Sequence, residues 1–243
     1  NDLVGRGWLI PHEEVGDFSL ANDDSYKTIK PKIIDFVSYP YEWSFSQLKD
    51  VALLTLNIQK RALDCGMTLK DASAYNIQFY NGKPILIDTL SFEIYEENKP
   101  WVAYKQFCQH FLAPLALMAL KDVRLNQLLK IYIDGIPLDL ASVLLPFYSR
   151  FKFSLLTHIH LHSRAQSYLS DRRIKARDYK LSRIKLRALI DSLESAIGGL
   201  TWKPKGTEWA DYYEETNYTD SALISKTNLV SEFLDKINPK KVW

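Results

Sequence analysis

The stretch Asp71-Ala72-Ser73-Ala74-Tyr75-Asn76-Ile77-Gln78-Phe79-Tyr80-Asn81-Gly82-Lys83-Pro84-Ile85-Leu86-Ile87-Asp88-Thr89-Leu90-Ser91-Phe92 decides the fold. Within it the apolar period turns from helical to alternating, with Ile77-Gln78-Phe79 and Ile85-Leu86-Ile87 on either side of Asn81-Gly82. Asn-Gly between two such runs predicts a tight hairpin, because the turn needs residues that tolerate positive φ. Asp71 and Asn76 precede the first strand and Asp88 follows the second, so three groups able to hold a metal or a proton surround one hairpin. Asp and Asn taken singly also favour turns and helix caps. What points to a site is the ordered series of helix, D-x-x-x-x-N, strand, Asn-Gly, strand and Asp.

Ahead of this stretch, Ser44 is an N-cap candidate. Phe45, Leu48, Val51, Ala52, Leu54, Thr55, Ile58, Ala62 and Cys65 then recur at helical spacing until Gly66, which predicts one amphipathic helix. Behind it, helical periodicity returns near 101–120, 122–133, 138–148, 154–170 and 178–198, with breaks at Pro114, Gly135-Ile136-Pro137 and Gly198-Gly199. Residues 1–38 alternate short apolar runs, Gly7 to Ile10 and Lys32 to Val37, with Gly, Pro and Asp turns, and predict a small partial sheet. Lys203-Pro204-Lys205-Gly206 sets a domain boundary near 200, followed by a helix from Asp220 to Leu234 and a strand-like end at Lys240 to Trp243. Both ends are expected to be cut from something longer.

Composition bounds the function classes. With 243 residues, 47% hydrophobic and 25% charged, the chain lies in the globular range. A net charge of +2 is too small to imply nucleic acid, although Arg164 to Arg187 is densely basic. Cys65 and Cys108 suggest neither a disulfide framework nor a zinc knuckle, and a reducing cytoplasm fits them. No apolar run approaches a membrane span, so no membrane partner is expected. His158-Ile159-His160-Leu161-His162 suggests a metal site only if it is extended; on a helix it reads as buried, hydrogen-bonded histidines.

Phosphoryl transfer asks little covalent help of a protein. It needs a carboxylate to position the acceptor hydroxyl, and metal ions to hold the triphosphate. Asp71 suits the first task as the catalytic residue, and Asn76 and Asp88 suit the second as metal ligands.

In this order the residues resemble the protein-kinase-like superfamily, especially its aminoglycoside and choline phosphotransferase branch, over residues 30–165. The resemblance implies an α+β, protein-kinase-like fold with a partial N-terminal β lobe and hinge at 1–43 and a mainly helical C-terminal lobe at 44–200. It also implies magnesium with ATP or GTP as cofactors and a small hydroxyl-bearing substrate. Tyr39-Pro40-Tyr41-Glu42 falls where such a fold passes between lobes, which makes Tyr39, Tyr41 and Glu42 an adenine-binding edge. Departures are Leu69 in place of the usual His, Thr89-Leu90 after Asp88 in place of Phe-Gly, and no Gly-rich loop. Lys27, Lys30 and Lys32 are candidates for the phosphate-pairing Lys.

A second resemblance reaches further. Tyr39 to Trp43, Lys70 to Gln78, Ile87 to Glu93 and Gln106 to Leu115 look like the amino-terminal region of bacterial class I SAM-dependent methyltransferases related to the nodulation protein NoeA. That resemblance implies an attached methyltransferase domain whose entrance is 201–243. S-adenosylmethionine would then be a cofactor of the parent protein only, because the Gly-rich turn that lets a backbone approach it is absent here. Two expectations follow for the chain: a nucleotide-binding phosphotransferase domain, or a pseudokinase that recruits or regulates substrate for methyl transfer.

Overall fold

The computed structural model describes residues 2–15, 27–162, 181–203, 216–240 and 242. Two units are distinguished, Asn1–Trp202 and Lys203–Trp243. In the first, helices and strands mix as an α+β arrangement.

Helix α2 (Phe45–Asp64) is the spine. Ser44 accepts from the Gln47 N–H and Gln47 reaches back to the Ser44 N–H, so a reciprocal capping box fixes its start. Of the predicted stripe, Phe45, Leu48, Val51, Ala52, Leu54, Thr55, Ile58 and Ala62 are buried, whereas Cys65, just past the helix end, is exposed. Strand β3 (Met67–Leu69) follows at once and pairs antiparallel with β6 (Phe92–Ile94). Between them, β4 (Ile77–Tyr80) and β5 (Lys83–Leu86) form the predicted hairpin, with Asn81 at φ 51° and Gly82 at φ 73°.

The N-terminal region departs from its expectation. It opens with helix α1 (Asp2–Gly5), and its strands are β1 (His12–Val15) and β2 (Thr28–Pro31), paired antiparallel. Of the two runs marked as strand-like, Leu9 makes a single parallel bridge to Leu86, and 32–37 has no strand. Ile33, Phe36 and Val37 are exposed, so hydrophobicity there marks surface and not sheet.

The long helical region is more broken than its periodicity suggests. Its first helix runs as α3 (Tyr104–Phe107), a π-helical turn at Cys108–Leu112, and α4 (Ala113–Leu120). Pro114 does not end it. In the π register, the Ala113 N–H bonds the Cys108 carbonyl, and the next position would serve the Gln109 carbonyl, but Pro114 has no N–H. Ile136 supplies the missing donor, its N–H lying 3.0 Å from Gln109 O. That close approach explains Gly135. Its φ is +93°, and a Cβ there would lie 2.6 Å from Gln109 Cβ.

Helix α5 (Leu128–Ile131) and α6 (Leu138–Leu144) are shorter than expected. A 3-10 turn at Phe147–Phe151 leads to α7 (Phe153–Leu155) and a second π-helical turn, Leu156–Leu161. The remainder of the expected 154–170 helix lies outside the described residues. Helix α8 (Arg183–Gly198) packs on α2, where Lys60 bridges Asp191 at 2.6 Å and Glu194 at 2.7 Å. In the second unit, α9 (Asp220–Ile237) begins at the Thr219 cap and ends on left-handed Asn238. Residue 240 is a bend and 242 is irregular, so neither is in a strand. Among the described residues no helix is long and apolar enough to cross a membrane.

Candidate functional site

Strand β3 delivers the chain to Asp71 from a well-fastened position. Its free edge is satisfied by side chains: Gln59 Oε1 accepts the Leu69 N–H at 2.7 Å, and the Trp101 indole donates to Leu69 O at 2.8 Å. Gln59, fully buried, also donates to Thr68 Oγ1 at 2.9 Å. The β3–β6 ladder runs one step further, the Lys70 N–H meeting Ser91 O at 2.8 Å. Asp71 therefore begins its loop beside Ser91.

Ser91, buried and absent from the expected site, joins the other two candidates. Its hydroxyl donates to Asp88 Oδ2 at 2.6 Å and accepts from Asn76 Nδ2 at 3.1 Å. Asn76 and Asp88 thus meet on the Ser91 side chain, while Asp71 follows Lys70, whose N–H bonds the Ser91 carbonyl. Each Asp also closes a local turn: Asp71 Oδ1 accepts the Ser73 N–H at 2.8 Å, and Asp88 Oδ1 accepts the Leu90 N–H at 2.8 Å. The turn preference of both Asp residues is therefore realised.

The loop 71–76 rests on the first π-helical turn. Gln106 Oε1 accepts the Ala72 N–H at 2.7 Å, and the Tyr75 ring meets His110 edge-on at 6.2 Å. His110 is 1% exposed, and its Nδ1 is enclosed without a hydrogen-bond partner among the described residues. Burial pushes its pKa down to about 4, with Asp71 and Asp134 pulling the other way. It is neutral at physiological pH and lies within the field of Asp71. Gln59, Ser91, Gln106 and His110 were not among the expected site residues. Ser91, Gln106 and His110 do lie within the stretches that carry the second resemblance, and Gln59 is a polar residue on the apolar stripe of α2.

Tyr39 and Tyr41 stack in parallel, centroids 5.5 Å apart and 4° between planes, with Lys130 Nζ 5.9 Å above Tyr41. Burial raises the Tyr75 pKa, and the Tyr41 and Tyr39 hydroxyls add to it, which groups the three phenols. Main-chain groups of this segment are largely engaged within the protein. Glu42 Oε2 accepts the Tyr39 N–H at 2.8 Å, and Tyr41 O receives Asn126 at 3.1 Å and Gln127 at 2.7 Å. Glu42 therefore serves its own turn, and the stacked rings are what the segment offers to a ligand.

Among the lysines, Lys27 pairs with Glu14 at 2.7 Å and Lys32 lies 5.1 Å over the Tyr80 ring. Lys30 sits on the exposed edge of β2. The segment joining β1 to β2, the basic stretch 163–180, and Trp209, Tyr212 and Tyr213 lie outside the described residues.

His158 and His160 are resolved as helical and hydrogen-bonded. His158 Nδ1 lies 2.7 Å from Tyr104 Oη and Nε2 3.0 Å from Ser192 Oγ. His160 meets Ser142 at 2.8 Å and Ser149 at 2.9 Å. Among the described residues no group of three or more His, Cys, Asp or Glu is arranged to hold a metal.

The fold and site define an α+β protein with a polar cluster gathered at the base of a hairpin. Over 247 residues the chain is 33% identical to the nodulation protein NoeA of Rhizobium meliloti (strain 1021), covering 99% of this chain and 52% of that protein. The two are related, and the chain spans about half the length of that curated relative. No family model matches the sequence. No solved structure matches it.

Proposed function

We propose that the chain is a kinase-like, nucleotide- and magnesium-binding domain of a bacterial methyltransferase-family protein, acting on a small hydroxyl-bearing molecule. The observation that carries this reading is Ser91, whose hydroxyl touches both Asp88 and Asn76 while its carbonyl holds the strand leading to Asp71. Magnesium is ordinarily held by one or two carboxylates together with substrate phosphates, so a full protein cage is not required. Asp88 and the Asn76 amide oxygen, left open when Nδ2 bonds Ser91, fit that donor set. The ion would neutralise charge on the phosphates. Asp71, with one oxygen committed to its turn, would orient the acceptor hydroxyl and take its proton, and Tyr39 and Tyr41 would flank the bound ligand.

The engaged main chain at 39–43 favours a second reading, a pseudokinase that recruits or regulates substrate for methyl transfer by an attached domain using S-adenosylmethionine. Thermal melting with magnesium and ATP or GTP separates the two. Nucleotide at ~100 times its Kd stabilises by ~2.7 kcal/mol, a readable rise in Tm. The first reading expects that rise in wild type and in Asp71→Ala, and its loss in Asp88→Ala. No rise at millimolar nucleotide in any of the three discards nucleotide binding and leaves recruitment.

A further inference from the structure

The surface turn Phe147–Phe151 and the start of α7 hold large apolar side chains out in solvent. Phe147 is 69% exposed, Phe151 79% and Phe153 78%. Apolar residues scattered singly on a surface need no explanation, but a contiguous group does. Phe147 and Phe151 touch edge to face, centroids 5.6 Å apart. Phe153 follows one residue further on, beyond extended Lys152, φ −86° and ψ 107°.

This exposure does not come from a loose segment. Ser149, fully buried, bonds His160 Nε2 at 2.9 Å, and Tyr148 Oη donates to Leu120 O at 3.1 Å. Ser149 and the Tyr148 hydroxyl anchor the turn inward and the phenyl rings are presented outward. That is the reverse of the arrangement that folding alone would favour.

Charge selects the partner. Arg150 and Lys152 are exposed between the rings, and neither pairs with a carboxylate among the described residues. From Leu140 to Ser170 the sequence contains no Asp or Glu. We propose that the Phe147–Phe153 turn is a membrane-contact surface, seating its phenyl rings in the interface of an anionic lipid bilayer with Arg150 and Lys152 at the headgroups. Protruding apolar rings flanked by cations suit such an interface. Single-stranded nucleic acid would need open aromatic faces, whereas Arg150 covers Phe147 at 5.5 Å and Phe151 meets Phe147 edge-on. The earlier expectation of no membrane partner rested on the lack of a long apolar run, and surface contact needs none.

Co-sedimentation with vesicles tests the surface. Wild type is expected to bind vesicles of phosphatidylcholine with phosphatidylglycerol better than vesicles of phosphatidylcholine alone. The F147S/F151S/F153S variant should bind the mixed vesicles at least about tenfold more weakly, since three apolar anchors are lost. R150Q/K152Q should lose the preference for phosphatidylglycerol. A separate variant, F151W, should shift its fluorescence to the blue on mixed vesicles, which reads insertion even if the triple variant fails to fold. The proposal is overturned if wild type ignores both vesicle types, if F151W shows no shift, or if the folded triple variant binds like wild type. Retention of wild type on an oligothymidine resin, lost in the triple variant with no vesicle binding, would also overturn it in favour of nucleic acid.

Discussion

Two π-helical turns, Cys108–Leu112 and Leu156–Leu161, each bury histidine, and they treat it in opposite ways. In the second turn all four ring nitrogens of His158 and His160 meet a hydroxyl within 3.0 Å. In the first, His110 is equally enclosed, yet its Nδ1 has no partner among the described residues. The later turn is a fastening, holding the aromatic surface turn through Ser149 and α8 through Ser192. The earlier one carries the Asp71 loop, and there the protein tolerates an unmatched polar atom, ordinarily worth ~1–3 kcal/mol against folding. Such atoms are rare enough in folded proteins to call for an explanation, and π-helical turns gather at functional sites. The contrast separates histidines that build the fold from one placed beneath a candidate site.

The largest expected effect tests what sustains the first turn. Gly135→Ala would put a Cβ 2.6 Å from Gln109 Cβ and 3.1 Å from His110 Cδ2 at a φ of +93°. Separating the chains would release Ile136 from Gln109 O, leaving the carbonyl that Pro114 cannot serve. We expect a loss of ~3–4 kcal/mol in urea denaturation, combining overpacking with a forced backbone. A loss below ~1 kcal/mol would show that the 135–136 approach is not what stabilises the turn.

Next in size is the same substitution made at His160 and His110. His160→Leu strands two hydroxyls, one on fully buried Ser149, and is expected to cost ~2–3 kcal/mol. His110→Leu abandons no hydrogen bond among the described residues and removes the unmatched Nδ1, a gain that offsets the lost ring contact with Tyr75, so its stability should lie within ~1 kcal/mol of wild type. Equal costs at the two positions would end the distinction between them.

The sequence carried some of this and not the rest, for identifiable reasons. Helix α2 was legible because the Ser44 cap, apolar stripe and terminal Gly66 agree, and the hairpin because Asn81-Gly82 demands its turn. The N-terminal strands were misplaced because Ile33, Phe36 and Val37 are apolar yet exposed, and periodicity cannot report exposure. Asp71, Asn76 and Asp88 were legible as a pattern, but Ser91, which joins Asn76 to Asp88, is one serine among many until the ladder places it. Pro114 read as a break because the compensating donor, Ile136, is distant in sequence. The unpaired state of His110 depends on what surrounds it in space, so no local pattern could reveal it.

The smallest effect expected at neutral pH becomes visible in acid. Burial lowers the pKa of both His110 and His158 from 6.5 to about 4, with His162 adding to the shift at His158. Their folded values lie below their unfolded ones, so the unfolded chain binds more protons in between. Stability contributed by the neutral rings is complete above pH 6.5 and lost as pH falls through that window toward about 4. Urea midpoints recorded across it should fall for wild type and fall less steeply for His110→Leu and His158→Leu. The comparison sharpens at pH ~7, above the unfolded histidine value, where titration no longer contributes. There His158→Leu should be destabilised by its lost Tyr104 and Ser192 bonds, while His110→Leu stays close to wild type. An acid slope unchanged by His110→Leu would mean that His110 is solvated enough to titrate as it does in the unfolded chain. The Asp71 loop would then open often enough to admit water to His110, and the two turns would no longer differ in kind.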